Sequence, residues 1–259
     1  MILVTIAGFD PSGGAGVLLD TSVFKALGFH GTAVLTAVTV QNTSTVVRVR
    51  TLSPRLVRDQ FLALKRDLAV AGLKVGMAGS AANIQEIGRL LARHTDIPRV
   101  VDPVLRSSSG RALAGKASAL HYLRALHGRA EVLTPNLAEA ARLSGRPVRT
   151  VAEMRDAAAA VFDRTGIPCL VKGGHLPGAP VNLLYDGKHI ALFGIKRLRR
   201  DVHGTGCFFS AALLGFLVRK GDLFAAAEAA TEWTHRAIVS SIRIGRGRAV
   251  FTPLSIPKP

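Results

Sequence analysis

The chain has 259 residues, a formal net charge of +17, 48% hydrophobic residues and two cysteines. This length and apolar content suit one large domain, residues 1–259, with a sizeable core. No apolar run reaches the roughly 18 uncharged residues that a membrane helix needs, and Cys169 and Cys207 lie too far apart, without clustered histidines, for a structural zinc site or a CxxC motif.

In chain order, short apolar runs alternate with longer stretches of helical spacing. Ile2–Ala7 reads as a first strand and not as a signal peptide, so a cytoplasmic protein without disulfides is expected. A helix is expected over Gly13–Leu27 after a glycine turn, and a strand over the valine- and threonine-rich Thr32–Val40. Pro54–Ala69 carries Leu56, Phe61, Leu64 and Leu68 near helical spacing, with Pro54 suited to a first turn. Then follow Leu73–Met77 (strand), Ala81–Arg93 (helix), Arg99–Val104 (strand), Ala117–Leu126 (helix), Glu131–Thr134 (strand) and Asn136–Leu143 (helix). The alanine-rich Val151–Thr165 is a further helix, and Cys169–Lys172 a strand. Val181–Tyr185 and His189–Phe193 flank Asp186-Gly187, a hairpin signal. Helices over Thr205–Arg219 and Leu223–Ile242 close the pattern, and Arg243–Arg248 reads as a surface loop. Such alternation implies a mainly parallel sheet with helices on both faces and an antiparallel hairpin at one edge.

Ligands of such sheets lie beyond the C-terminal ends of the strands. The polar residues expected there are Asp10 with Gly13-Gly14-Ala15-Gly16, Gln41-Asn42, Met77, Asp102, Asn136 with Glu139, Lys172, and the turn His203-Gly204-Thr205-Gly206-Cys207. The last is a glycine turn opening onto a helix N-terminus, where free N–H groups and the helix dipole favour an anion. Cys207 falls on the first helical turn, where a thiolate is stabilised. A tight turn with a small buried cysteine is the plainer reading. Asp20 either accepts a hydrogen bond from a ligand amine or is an exposed helix carboxylate. The Gln41 amide either reads a heteroaromatic ring edge or caps a loop. Asp102 and Glu139 offer oxygen ligands for magnesium, while Glu139 could equally complete a capping box with Asn136. Lys172 at a buried strand end calls for an anion such as phosphate. His203 is either a phosphate donor or a turn residue. The arginine excess is scattered, as in Arg48, Arg50, Arg55, Arg58 and Arg89, which reads as a solvated basic surface attracting polyphosphates. A nucleic-acid-binding role lacks support, because aromatic residues are few and no recognition motif appears.

These segments, in this order, resemble the hydroxymethylpyrimidine/phosphomethylpyrimidine kinases of thiamine biosynthesis, within the ribokinase-like superfamily. The likeness rests on Ala7–Gly16, Ala37–Thr43, Lys74–Met77, Val101–Val104, Thr134–Ala140, Val171–His175 and His203–Cys207. It implies a three-layer α/β/α sandwich and phosphorylation of the pyrimidine alcohol, then of its monophosphate, with ATP and Mg2+. The resemblance assigns Gly8, Asp20, Gln41 and Met77 to the pyrimidine pocket, Asp102 and Glu139 to the metal, and Lys172, Asn136 and His203 to ATP. Gly204, Thr205 and Gly206 would form the anion hole, with Cys207 as base. It also implies a homodimer. The chain departs from the family at Ser22, where a lysine is usual, at Val202, where threonine is usual, and at Phe208-Phe209, where polar residues are common. Two other readings remain open: a pyridoxal kinase, and a pyrimidine-binding regulator with impaired catalysis.

Overall fold

The computed structural model describes residues 1–105, 118–194 and 196–252. Nine strands among them form one sheet, in the order β3-β2-β1-β4-β5-β6-β7-β8-β9. The parallel centre consists of β1 (Ile2–Phe9), β2 (His30–Gln41), β4 (Val70–Val75), β5 (Arg99–Val101), β6 (Val132–Leu133) and β7 (Cys169–Gly173). At one edge β8 (Val181–Tyr185) and β9 (Ile190–Gly194) run antiparallel, as the Asp186-Gly187 hairpin requires. At the other edge β3 (Val46–Thr51) pairs antiparallel with β2. This second antiparallel edge is not expected from the sequence pattern. Its strand, Val-Val-Arg-Val-Arg-Thr, is half-exposed to exposed throughout and buries too little to leave a hydrophobic signature.

Helices cover both faces. α2 (Pro54–Asp67), α3 (Ala81–Arg93), α4 (Ser118–Leu126), α5 (Leu137–Ser144) and α6 (Val151–Thr165) pack on one side around Phe61, Ile84, Leu91, Leu143 and Val161. α1 (Gly16–Ala26), α7 (Thr205–Lys220) and α8 (Leu223–Val239) pack on the other around Phe24, Leu27, Phe208, Leu213 and Trp233. The result is the expected α/β/α sandwich. Helix boundaries follow their caps. Ser53, Ser80, Thr150 and Asp222 each accept an N-terminal backbone N–H, a device worth about 1 kcal/mol per helix. α1 starts later than expected, at Gly16, because Gly13 sits at φ 73°, outside helical space. α8 stops at Val239, and Ile242 instead exchanges backbone hydrogen bonds with Val250.

Candidate active site

β1 leads through α1 to β2 on one side of itself, whereas β4 lies on the other side, so the chain reverses direction across the sheet between β1 and β4. A crevice opens at such a switch point. Here it is lined by Gly8 and Phe9 at the end of β1 and Asp10 just after it, by Thr39 and Gln41–Val46 around the β2–β3 turn, and by Met77, Val104, Ala15 and Gly16. His203, Cys207 and Arg248 complete the wall. Gly8 lies beneath Met77; a Cβ there would stand 2.8 Å from the Met77 methyl.

The glycine turn before α7 is shaped by two close approaches. Gly204 occupies φ 79°, and a Cβ on it would meet the Gly14 carbonyl oxygen at 2.0 Å. No side chain caps α7, which leaves its first-turn N–H groups for an anion. A Cβ on Gly206 would stand 3.1 Å from Lys172 Nζ and 3.4 Å from Asp102 Oδ2. The turn therefore faces a polar cluster built from three neighbouring strand ends. Lys172 Nζ donates to Asp102 Oδ1 at 2.7 Å, and both side chains are largely buried. Asn136 bridges to Lys172 through the backbone, and its side chain completes a capping box with Glu139 at 2.9 Å in each direction. Glu139 also accepts from the Leu105 N–H at 3.4 Å. Burial and the neighbouring Asp102 charge push the Glu139 carboxyl up to about 7, against Lys172, which pulls it down. Glu139 thus caps α5 while standing next to the Asp102 and Lys172 charges. No group of three or more His, Cys, Asp or Glu suited to a metal occurs among the described residues. Two carboxylates repelling each other in a buried place still suit a cation that keeps waters and takes its other ligands from phosphate.

Cys207 is half-buried on the pocket wall, and the Gly16 N–H donates to it. Burial pushes its thiol up; the Lys74 charge opposes this, while Asp20 and Asp102 add to it. The helix terminus alone does not decide its ionisation. Phe208 and Phe209, expected beside the hole, turn away from it. Phe208 is fully buried against Trp233 and Phe251, and Phe209 is also buried. Val202 is buried and pairs with Ala249, while the Ser22 hydroxyl bonds back to Leu18 on the exposed side of α1.

Two expected placements change. Asp20 does not line the pocket. It is fully buried, accepting from Lys74 Nζ at 2.7 Å and from Thr5 Oγ1 at 2.6 Å. Thr5 and Lys74 are direct neighbours across β1 and β4, and α1 lays its inward face over them. His203 is not turned toward Lys172. Its Nε2 lies 2.9 Å from Asp10 Oδ2 and 3.0 Å from Gln41 Nε2, on the pocket wall. Three residues gain importance. Lys74 is a fully buried ammonium in an apolar run, and the reasoning that singles out Lys172 applies equally to it. Burial works against its charge, yet Asp20, with Cys207 and Asp102 adding, holds it above its usual range. Asp10 anchors His203. Arg248, read as surface, reaches the pocket and pairs with Asp201 at 2.9 Å. The sequence offers two loops as lids, residues 107–110 and 173–180; the first lie outside the described residues. The loop after β7 is tied down by Arg197, which donates to the Leu176 and Gly178 carbonyls.

Residues 10–252 match the family model for phosphomethylpyrimidine kinase. The chain is 41% identical to a hydroxymethylpyrimidine/phosphomethylpyrimidine kinase from Streptomyces coelicolor, over 95% of this chain and 91% of that one. It is 34% identical to the enzyme of the same name from Aquifex aeolicus, over 97% and 99%. Among solved structures, a Staphylococcus aureus pyridoxal kinase in complex with AMP-PCP superposes with a TM-score of 0.87 at 27% identity, covering 96% of this chain and 92% of that one. A phosphomethylpyrimidine kinase from Clostridium difficile superposes with a TM-score of 0.78 at 30% identity, covering 92% and 98%. With this fold, this crevice and these matches, the chain belongs to the phosphomethylpyrimidine kinase family.

Proposed function

We propose that residues 1–259 form one kinase domain that transfers the ATP γ-phosphoryl group to 4-amino-5-hydroxymethyl-2-methylpyrimidine, then to its monophosphate, in thiamine biosynthesis. The observation that carries this reading is that Cys207, on the wall of the pocket bearing Gln41 and Met77, directly follows the Gly204–Gly206 turn, where Gly206 faces the Lys172–Asp102 pair. Phosphoryl transfer needs positioning and charge stabilisation more than covalent chemistry. The N–H groups of Gly204, Thr205 and Gly206 would hold the transferring phosphoryl group. Lys172 and Asn136 would hold the nucleotide phosphates. Cys207, as thiolate, would take the hydroxymethyl proton while that oxygen attacks phosphorus and ADP leaves. Asp102 and Glu139 would hold magnesium, which when bound neutralises phosphate charge. In the free protein His203 serves the alcohol side of the crevice.

ADP release with the alcohol, then with its monophosphate, with and without magnesium, tests the reading. Cys207→Ala should lose turnover while still binding the pyrimidine; unchanged turnover would remove Cys207 from the chemistry. The pyridoxal kinase likeness among solved structures favours a second acceptor, and parallel assays on pyridoxal decide between them.

We also propose a homodimer through the β2–β3 ribbon, where Val38, Val40 and Val47 are 40–59% exposed. Light scattering should give the mass of two chains; a monomer at micromolar concentration would exclude it. A cytoplasmic location accords with the absence, among the described residues, of a helix able to cross a membrane. Fractionation that recovers the protein with the membranes would contradict it.

A further inference from the structure

Three side chains that line the crevice meet at one atom. His203 Nε2 lies 2.9 Å from Asp10 Oδ2 and 3.0 Å from the Gln41 amide nitrogen. The proton inventory of this contact determines how Gln41 faces a ligand. Asp10 Oδ1 already accepts from the Ser12 N–H at 2.9 Å and the Ser12 hydroxyl at 2.7 Å. Oδ1 is thus an acceptor only, which leaves Oδ2, facing His203, as the one oxygen that could carry a proton. Burial raises the Asp10 carboxyl, but the bonds from His203 and Ser12 outweigh it and hold the group below its usual range. An ionised Asp10 requires the histidine proton on Nε2. The amide then cannot also present N–H to that atom. Amide oxygen and nitrogen are nearly the same size, and their orientation is set by their partners. Turned half a revolution, the amide places Oε1 on the His203 N–H and Nε2 on Thr39 Oγ1. Thr39 suits this role, since its own proton goes to the Phe9 carbonyl at 3.0 Å and its lone pairs remain to accept. The one Nε2–H is then shared between Asp10 Oδ2 and Gln41 Oε1, one amide hydrogen meets Thr39 Oγ1, and the other amide hydrogen is left for a ligand.

We propose that His203 is a specificity-determining residue: backed by Asp10, it locks the Gln41 amide with its acceptor toward His203 and its donor toward Thr39. A freely turning glutamine accepts either of two ring edges. One has an amino group beside a bare ring nitrogen; the other has a carbonyl beside a protonated ring nitrogen. These patterns are mirror images in donors and acceptors, and a locked amide matches only one of them in a given ring pose. The ring is packed close to Gly14, where a Cβ would stand 2.5 Å from His203 Cδ2, so it has no room to swing away. The lock makes the site selective for an aminopyrimidine alcohol over its oxo counterpart. This inference rests on the kinase reading above.

The test compares 4-amino-5-hydroxymethyl-2-methylpyrimidine with its 4-oxo analogue, as kcat/KM by ADP release and as Kd by calorimetry. A site built around fixed hydrogen bonds should favour the amino compound by roughly 30-fold or more. In His203→Ala the ratio should fall to about 3 or below in both kcat/KM and Kd. His203→Gln, which carries an N–H at the place of Nε2, should restore most of it. Asp10→Asn no longer demands the proton on Nε2 and should lower the ratio with the histidine still present. Equal use of both compounds by the wild type would overturn the proposal, as would a ratio unmoved in both His203→Ala and Asp10→Asn. If His203→Ala does not fold, Asp10→Asn and His203→Gln carry the test. A wild type that phosphorylates and binds neither alcohol would instead overturn the kinase reading.

Discussion

The pair Lys74–Asp20 offers a direct measurement of what lies beneath the crevice. Both side chains are fully buried at 2.7 Å, and Asp20 Oδ1 finds no donor among the described residues. Lys74→Met removes the ammonium and leaves Thr5 Oγ1 as the remaining donor to a buried carboxylate. Breaking a buried ion pair from one side costs about 3–5 kcal/mol, because the surviving charge is uncompensated. That is a large share of the roughly 5–15 kcal/mol that holds a domain together. Replacing both partners, as Lys74→Met with Asp20→Leu, removes both desolvation costs and should return the protein to within about 2 kcal/mol of wild type. Urea unfolding followed by tryptophan fluorescence and by circular dichroism gives the four corners of the cycle. The Trp233 indole packs on Phe208 and Phe216 in the α7–α8 layer, so it reports that layer directly. A Lys74→Met cost below about 1 kcal/mol, or a double variant no more stable than Lys74→Met, would refute the claim that this is a desolvated charge pair.

Gly206→Ala adds a methyl 3.1 Å from Lys172 Nζ; kcat should fall about 100-fold, in line with small misplacements in active sites, with little change in melting temperature. Activity within twofold would show that the turn does not face the reacting phosphate. Glu139→Gln keeps one oxygen for the Asn136 N–H and gives up only the 3.4 Å contact with the Leu105 N–H, so stability should fall by about 1 kcal/mol while the magnesium half-saturation point rises roughly tenfold. An unchanged magnesium response would reduce Glu139 to a cap. Asp186 accepts the His189 and Lys188 N–H groups at 2.6 and 2.8 Å, and these bonds hold its carboxyl at about 2. Its folded value lies below its unfolded value, so its contribution is present at neutral pH and is lost as pH falls through about 4 toward 2. Asp186→Ala should therefore cost about 1 kcal/mol at pH 7, a difference that shrinks in acid. A cost that persists at pH 2 would assign it to packing instead.

The framework was readable because it rests on local signals. α3 and α6 begin and end where Ser80, Thr150 and the apolar spacing require, and β8 is bounded by its turn. β3 escaped because its alternating arginines look like ordinary surface. The strand-end rule gathered Gln41, Asp102, Asn136, Lys172 and Cys207, which the fold brings to one end of the sheet. Asp20 could not be placed that way. Its partner is 54 positions away, and only the register of β1 against β4 makes Lys74 and Thr5 adjacent beneath α1. The same limit hid the histidine contact, which joins residues 162 and 193 positions apart.

The stretch after α8 crosses the crevice rim. The Gly247 N–H donates to Thr43 Oγ1, the Arg248 N–H to the Thr43 carbonyl, and a Cβ on Gly247 would meet that carbonyl at 2.0 Å. Deleting the chain from residue 242 onward would thus remove masonry from the ligand chamber itself. Anyone trimming residues 242–252 is also loosening the Thr43 side of that chamber, which Gly247 and Arg248 hold in place.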